Sequence, residues 1–162
     1  WQLSTFQFDF SLPERFKVTY VGSDSKDHHV IMIHRALLGS LERFMGVLIE
    51  HYGGAFPVWL APLQSIIIPI SDRHHDYAVK IQDRLRQLDL VQLRVDCDLR
   101  NEKVGFKIRE AQLQKIPYML IVGDRELETG MLAVRNRFEG DLGAMSVEQF
   151  FKICPDGIII LI

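Results

Sequence analysis

Cysteine is almost missing from this chain. Cys97 and Cys154 are the only two among 162 residues, too few for a disulfide framework, and neither sits in the C-x-x-C type of spacing that holds a metal, so a reducing cytoplasm is the simpler setting. Long apolar runs are missing as well. Runs such as Ile66 to Ile70 and Ile158 to Ile162 fall far short of the roughly 20 residues a membrane helix needs, so no transmembrane span or signal peptide is expected. Charge of one sign is also lacking: 19 Lys and Arg stand against 21 Asp and Glu, a net charge of -2. No general field pulls in a polyanion, and any nucleic-acid contact has to be local.

What remains is 48% hydrophobic and 25% charged, the composition of a soluble globular protein with room for one or two small domains. The chain opens on Trp1 and reads at once as a packed strand, which suggests a piece of something longer. Its end, Gly157 followed by isoleucines and a leucine, would be a liability if it did not pack, and the sequence does not explain it.

Thr5 to Phe10 alternate, with Phe6, Phe8 and Phe10 on one side and Thr5, Gln7 and Asp9 on the other, the period of a strand with one polar face suited to a ligand floor. Phe16 to Tyr20 and Val30 to His34 read as two further strands of the same antiparallel sheet, joined by the charged turn Gly22 to Asp27; His28 and His29 read as solvated. A helix follows Ser40, its plausible N-cap, because Leu41, Phe44, Met45, Leu48 and Ile49 fall on one face, and Gly53 and Gly54 stop it. The segment Phe56 to Pro62 holds two prolines and no periodicity, so it reads as a semi-rigid connector. A domain boundary is expected near Pro62, giving domains 1–62 and 63–162.

Beyond it, strands at Ser65 to Ile70, Leu93 to Asp96 and Tyr118 to Val122 alternate with helices at Tyr77 to Leu88 and Val104 to Lys115. Continuous apolar strands with helical crossovers predict a three-layer α/β fold. A hairpin-like stretch from Gly130 to Arg137 and a short helix from Ser146 to Ile153 complete it. In the helix from Val104, Phe106 and Leu113 fall nearly opposite Val104, Ile108 and Ala111, so it is expected to be buried on two faces.

The run Ile33-His34-Arg35-Ala36-Leu37-Leu38-Gly39-Ser40-Leu41-Glu42-Arg43-Phe44 sets an imidazole at a strand end, a small-residue turn, and an arginine in the first turn of a helix. Arg43 alone reads as a surface charge, yet a Gly-Ser helix start lets a substrate approach the backbone, and an arginine there can hold a phosphate or stack on a purine. His34 alone reads as a packed or hydrogen-bonded histidine or as a ligand.

This run resembles the third signature motif of class II aminoacyl-tRNA synthetases. Together with Phe-Pro-Val-Trp-Leu-Ala-Pro at 56–62 and Asp-Leu-Arg-Asn-Glu-Lys at 98–103, it is similar to the threonyl-tRNA synthetase family in particular, over nearly the whole chain to about Phe151. The resemblance implies the end of an antiparallel class II catalytic sheet with its helix, then an α/β anticodon-binding domain with a mixed sheet. It implies a zinc ion held by one Cys and two His, with His34 as the last of these ligands; an open nitrogen–sulfur zinc site can capture the hydroxyl of threonine and reject valine. Gln7 and Ser40 would line the threonine pocket, Gln2 would contact the nucleotide, and Arg43 would hold the phosphates of magnesium-bound ATP as the catalytic residue.

Between Arg94 and Lys115 there are six basic and four acidic residues, a mixture suited to reading splayed bases and also to ordinary surface salt bridges. The resemblance assigns the anticodon of tRNA-Thr to Asn101, Arg109, Glu126 and Arg135. The implied activity is that of a threonine–tRNA ligase, cytoplasmic and a homodimer when complete, with the first two class II motifs and the other zinc ligands outside these residues, so that this chain alone is expected not to activate threonine. A noncatalytic tRNA-binding module is one alternative. A prolyl, glycyl or histidyl synthetase of the same class is another.

Overall fold

A computed structural model describes residues 4–87 and 93–154. The chain divides into two compact units, Trp1–His51 and Tyr52–Ile162.

The first unit begins with β1 (Thr5–Asp9) and a short helix α1 (Ser11–Arg15), followed by β2 (Thr19–Val21), β3 (Asp27–His29), β4 (Met32–Ala36) and helix α2 (Leu41–Tyr52), whose last residue crosses the division. The strands form two separate two-stranded antiparallel sheets, β1 with β4 and β2 with β3. This departs from the single sheet expected from sequence. Thr19–Val21 pairs with Asp27–His29 across the Gly22–Lys26 turn, Phe16 instead capping α1, and β4 is left to pair with β1. His28 therefore lies in a strand, its Nε2 2.8 Å from Asp24 Oδ1. Asp9 Oδ1 accepts from the amides of Ser11 and Leu12 at 2.9 Å and so starts α1, a helix too short to leave a periodic signal. The alternation of β1 does not bury its phenylalanines within this chain: Phe6 and Phe8 are exposed, and Phe6 lies under the guanidinium of Arg35, 4.8 Å from the ring centre.

The second unit has the layered fold the alternation predicts. Its five-stranded mixed sheet runs β6 (Val95–Cys97), β5 (Ser65–Pro69), β7 (Tyr118–Val122), β8 (Leu132–Asn136), β9 (Gly140–Met145). The first three are parallel, and β8 and β9 run antiparallel to their neighbours. Helices α3 (His75–Gln87) and α4 (Val104–Leu113) make the crossovers; α5 (Asp124–Thr129) and α6 (Val147–Ile153) follow β7 and β9. Parallel strands covered on both faces must be apolar throughout, and Ile67, Ile68, Met119, Leu120 and Val122 are fully buried.

Two clusters flank the sheet. On one face Ala78, Ile81 and Leu85 of α3 and Phe150 of α6 meet Ile67, Leu120, Leu132 and Val134. On the other, Ala111 of α4 meets Ile68, Ile116 and Met119. Helix α4 is buried on one side only, because Phe106 is 48% exposed and Leu113 71% exposed; the expectation of two buried faces is corrected. Its covered side instead includes Lys107, 3% exposed. The connector is tied to this unit: Gln64 Nε2 donates to Val58 O at 3.0 Å, Arg94 Nη2 to Trp59 O at 2.8 Å, and Arg137 to Ala55 O at 2.9 Å and to Phe56 O.

Candidate functional site

In the first unit the polar face of β1 meets β4 in a specific register. Gln7 lies directly opposite His34, so both side chains project from the same face of the two-stranded sheet. Both are exposed, and among the described residues the His34 imidazole makes no hydrogen bond, which leaves its nitrogens free. Ser40 caps α2 as expected, its Oγ accepting from the Arg43 amide at 3.2 Å. Arg43 thus occupies the first turn, where the amides and the helix dipole add to its own positive charge. The structure brings Gln7 to His34 and Ser40 to Arg43. Gln2 lies outside the described residues. No group of three or more His, Cys, Asp or Glu close enough to hold a metal occurs among the described residues.

The two cysteines stay out of any such chemistry. Burial pushes the Cys97 thiol up to about 11 and that of Cys154 up to about 12, far from the thiolate that binds metal or attacks an electrophile.

In the second unit the four expected positions fall on three elements and a loop. Asn101 is exposed in the loop leaving the carboxyl end of β6, and Arg109 is exposed on α4. Glu126 stands in the first turn of α5, just beyond the carboxyl end of β7, with Oε2 accepting from Gly123 N at 2.9 Å. Arg135 is half-buried on β8 opposite Met119. Because directly paired residues share a face, its side chain lies on the side of the sheet where Met119 meets α4. Asn101 and Glu126 therefore share the carboxyl edge of the parallel strands, where open α/β sheets place their ligands. Arg135 sits three residues back from that edge along β7. Its Nε is buried with no partner among the described residues, an orphaned donor that a ligand or water oxygen would satisfy.

Two networks brace this edge, and neither was foreseen. In the loop before α4, Asp98 is 6% exposed and receives Arg100 Nε and Nη2 at 2.9 and 2.7 Å; Arg100 also reaches Glu110, and the buried Lys107 Nζ donates to Asp98 O at 2.9 Å. The Arg100 hydrogen bond holds the Asp98 carboxyl below its ordinary range despite burial, with the Lys107 charge assisting. Lys107 lies between Val104 and Ala111 on the covered stripe, and a lysine at an apolar register position was the available signal. In the second network, His74 is 1% exposed. Its Nδ1 lies 3.1 Å from Ser71 Oγ and its Nε2 3.0 Å from Asp124 Oδ1, the first residue of α5. Asp124 also pairs with Arg73. Tyr77 adds to this, its hydroxyl donating to Glu126 O at 3.2 Å, so α3 and the segment Ser71–His74 fix the position of the Glu126 helix.

The anticodon binding domain family matches residues 64–156. The chain belongs to this family. Residues 1–52 match the class II tRNA synthetase core domain of the glycine, histidine, proline, serine and threonine enzymes. Over 158 residues the chain is 57% identical to a threonine–tRNA ligase of Desulforamulus reducens, a match covering 98% of this chain and 24% of that protein. It is 56% identical to that of Caldanaerobacter subterraneus subsp. tengcongensis over 94% of this chain and 23% of the relative. The chain thus spans about a quarter of the length of these curated relatives. Among solved structures, the RNA binding domain of threonyl-tRNA synthetase from Cryptosporidium parvum superposes with a TM-score of 0.84 at 32% identity, covering 96% of this chain and 39% of that one. The homologues of this anticodon-binding domain chain are threonine–tRNA ligases, and no helix among the described residues is long and apolar enough to cross a membrane.

Proposed function

We propose that this chain is the anticodon-reading portion, with the end of the catalytic domain, of a threonine–tRNA ligase, divided functionally into residues 1–62 and 63–162. The observation that carries this reading is the carboxyl edge of the mixed sheet. There Asn101 is presented by a braced loop and Glu126 by a pinned helix, and the orphaned guanidinium donor of Arg135 stands on the face behind them. These amide, carboxylate and guanidinium groups pair with the edges of unstacked bases.

In the whole enzyme, threonine and ATP would give threonyl-adenylate and pyrophosphate, and the threonyl group would pass to the terminal ribose of tRNA-Thr. Arg43 would hold the ATP phosphates by charge at a helix start, Gln2 the nucleotide, and Gln7 and Ser40 the threonine. An exposed imidazole with free nitrogens beside Gln7 fits one protein ligand of a zinc site, so His34 would help hold the ion, which when bound would capture the amino and hydroxyl groups of threonine. Magnesium would accompany ATP. The cytoplasm and a homodimer are the setting we assign to the full-length protein.

The test is binding of the 162-residue chain to the anticodon stem-loop of tRNA-Thr. Tight binding to that loop, weakened about fivefold to a hundredfold by a changed anticodon base or by Arg135→Ala, supports the reading. Equal affinity for every anticodon refutes it. ATP–pyrophosphate exchange by this chain alone is expected to be undetectable. A noncatalytic binding module would bind the same loop, and is separated in the full-length protein: threonylation that is lost in His34→Ala and Arg43→Ala supports the ligase, whereas absence of threonylation with RNA binding that survives both substitutions marks the module.

A further inference from the structure

Among the described residues, Phe106 and Arg109 on the exposed side of α4 belong to neither core cluster. Lys103 is the extended N-cap residue that leads into α4, and Phe106 and Arg109 stand three apart on the helix, so they follow one another along one side with about 4.5 Å of rise between them. All three are exposed, and the Phe106 ring is 48% open to solvent. Phe106 is not needed by the core, because α4 is anchored through Lys107 and Ala111 on its other side. Neither Lys103 nor Arg109 is engaged in an ion pair among the described residues, whereas the neighbouring Glu110 is taken by Arg100. The helix start and its exposed side therefore present a cation, an aromatic face and a cation, with Glu110 held by Arg100 and the exposed Glu102 beside Lys103 as the remaining carboxylate.

We propose that Phe106 is a stacking platform for one unpaired base of a single-stranded RNA loop, with Lys103 and Arg109 holding the nucleotides on either side. The proposal rests on the anticodon-reading function above and adds to it a residue that binds through a ring face. A bare phenylalanine on a helix surface has little to gain from water, and a base with its own π-face covers it whatever its identity. Flanking cations balance the phosphates that arrive with it. The charge favours RNA over an apolar protein partner, because every stacked base brings phosphates that the two cations can balance. Asn101, presented by the loop that leads into this helix, stands ready to read an edge of the same or an adjacent nucleotide.

The experiment measures affinity of the 162-residue chain for the anticodon stem-loop, with Phe106→Ala, Phe106→Leu, Phe106→Trp and Leu113→Ser compared with the parent. Stacking predicts a loss of about tenfold to a hundredfold for Phe106→Ala. Phe106→Leu keeps the bulk and loses the ring, so it is weakened too, while Phe106→Trp binds as the parent does. Replacing loop nucleotides one at a time by abasic ones identifies the stacked base, because at that position the loss from Phe106→Ala disappears. Leu113→Ser, one turn beyond Arg109, leaves affinity unchanged; an equal loss there, undiminished by any abasic position, marks a protein-type apolar contact and overturns the proposal. Affinity of Phe106→Leu equal to the parent also overturns it. If Phe106 variants bind normally while Arg135→Ala remains weakened, this inference alone fails; if the parent does not distinguish anticodons, the underlying function fails with it.

Discussion

Replacing Lys107 separates what its stem contributes from what its charge contributes. The side chain is 3% exposed and ends in one hydrogen bond, to Asp98 O at 2.9 Å. Lys107→Ala removes about three buried methylenes beyond Cβ, worth roughly 2.4 kcal/mol at about 0.8 each. It also removes a charge-assisted hydrogen bond worth about 1.5–3 kcal/mol. Against these stands the desolvation cost of a buried ammonium, which the substitution relieves. The expected net loss is about 3–4 kcal/mol. Lys107→Met keeps most of the stem and loses only the donor, leaving Asp98 O unpaired, so about 1–2 kcal/mol is expected. Urea unfolding of the three proteins, compared at matched denaturant slopes, reads both differences. A Lys107→Met protein as stable as the parent would mean that the ammonium only balances its own burial, and the account of Lys107 as a brace for the Asn101 loop would be wrong.

Two further outcomes are expected. The His74 hydrogen bond, with the Arg73 charge, holds the Asp124 carboxyl below its ordinary value of 3.8. A carboxylate with a lowered folded value stabilises above its unfolded value and loses that contribution as the pH falls through the folded one. The stability gap between parent and Asp124→Asn, measured by urea midpoints, should therefore be full at pH 7 and close below about pH 4; a gap of constant size sinks the assignment. Gly130 ends α5 at a φ of 70°, so Gly130→Ala should cost about 1–2 kcal/mol in thermal or urea unfolding and Gly130→Asn less. Equal stability of all three proteins would show that the left-handed turn is not a constraint.

Much of the second unit was legible because its chemistry is periodic. Ala78, Ile81 and Leu85 repeat at helical spacing, and Ile66 to Ile68 are continuously apolar, as a strand covered on both faces must be. The first unit was harder to read: three short strands can pair in several ways, and the Gly22–Lys26 turn decides for β2 with β3 through contacts that no alternation encodes. Phe106 and Leu113 misled because apolar character was read as burial. His34 and Arg43 stood out through their motif, but the pairing of His34 with Gln7 needed the register. The neighbours of Asp124 lie fifty and fifty-one residues upstream, a separation that no local pattern carries. The aim of Arg135 likewise depends on which residue of β7 it faces.

The ladder between β8 and β9 slips at Val134 and Arg135, where β9 advances from Gly143 to Asp141 and leaves Leu142 as an extra residue, while the ladder to β7 runs unbroken from Asn136 to Ala133. All the slack is thus taken on the outer strand. The guanidinium of Arg135 takes its bearing from the inner neighbour, so an insertion or deletion at the bulge in β9 would leave the register that aims it in place.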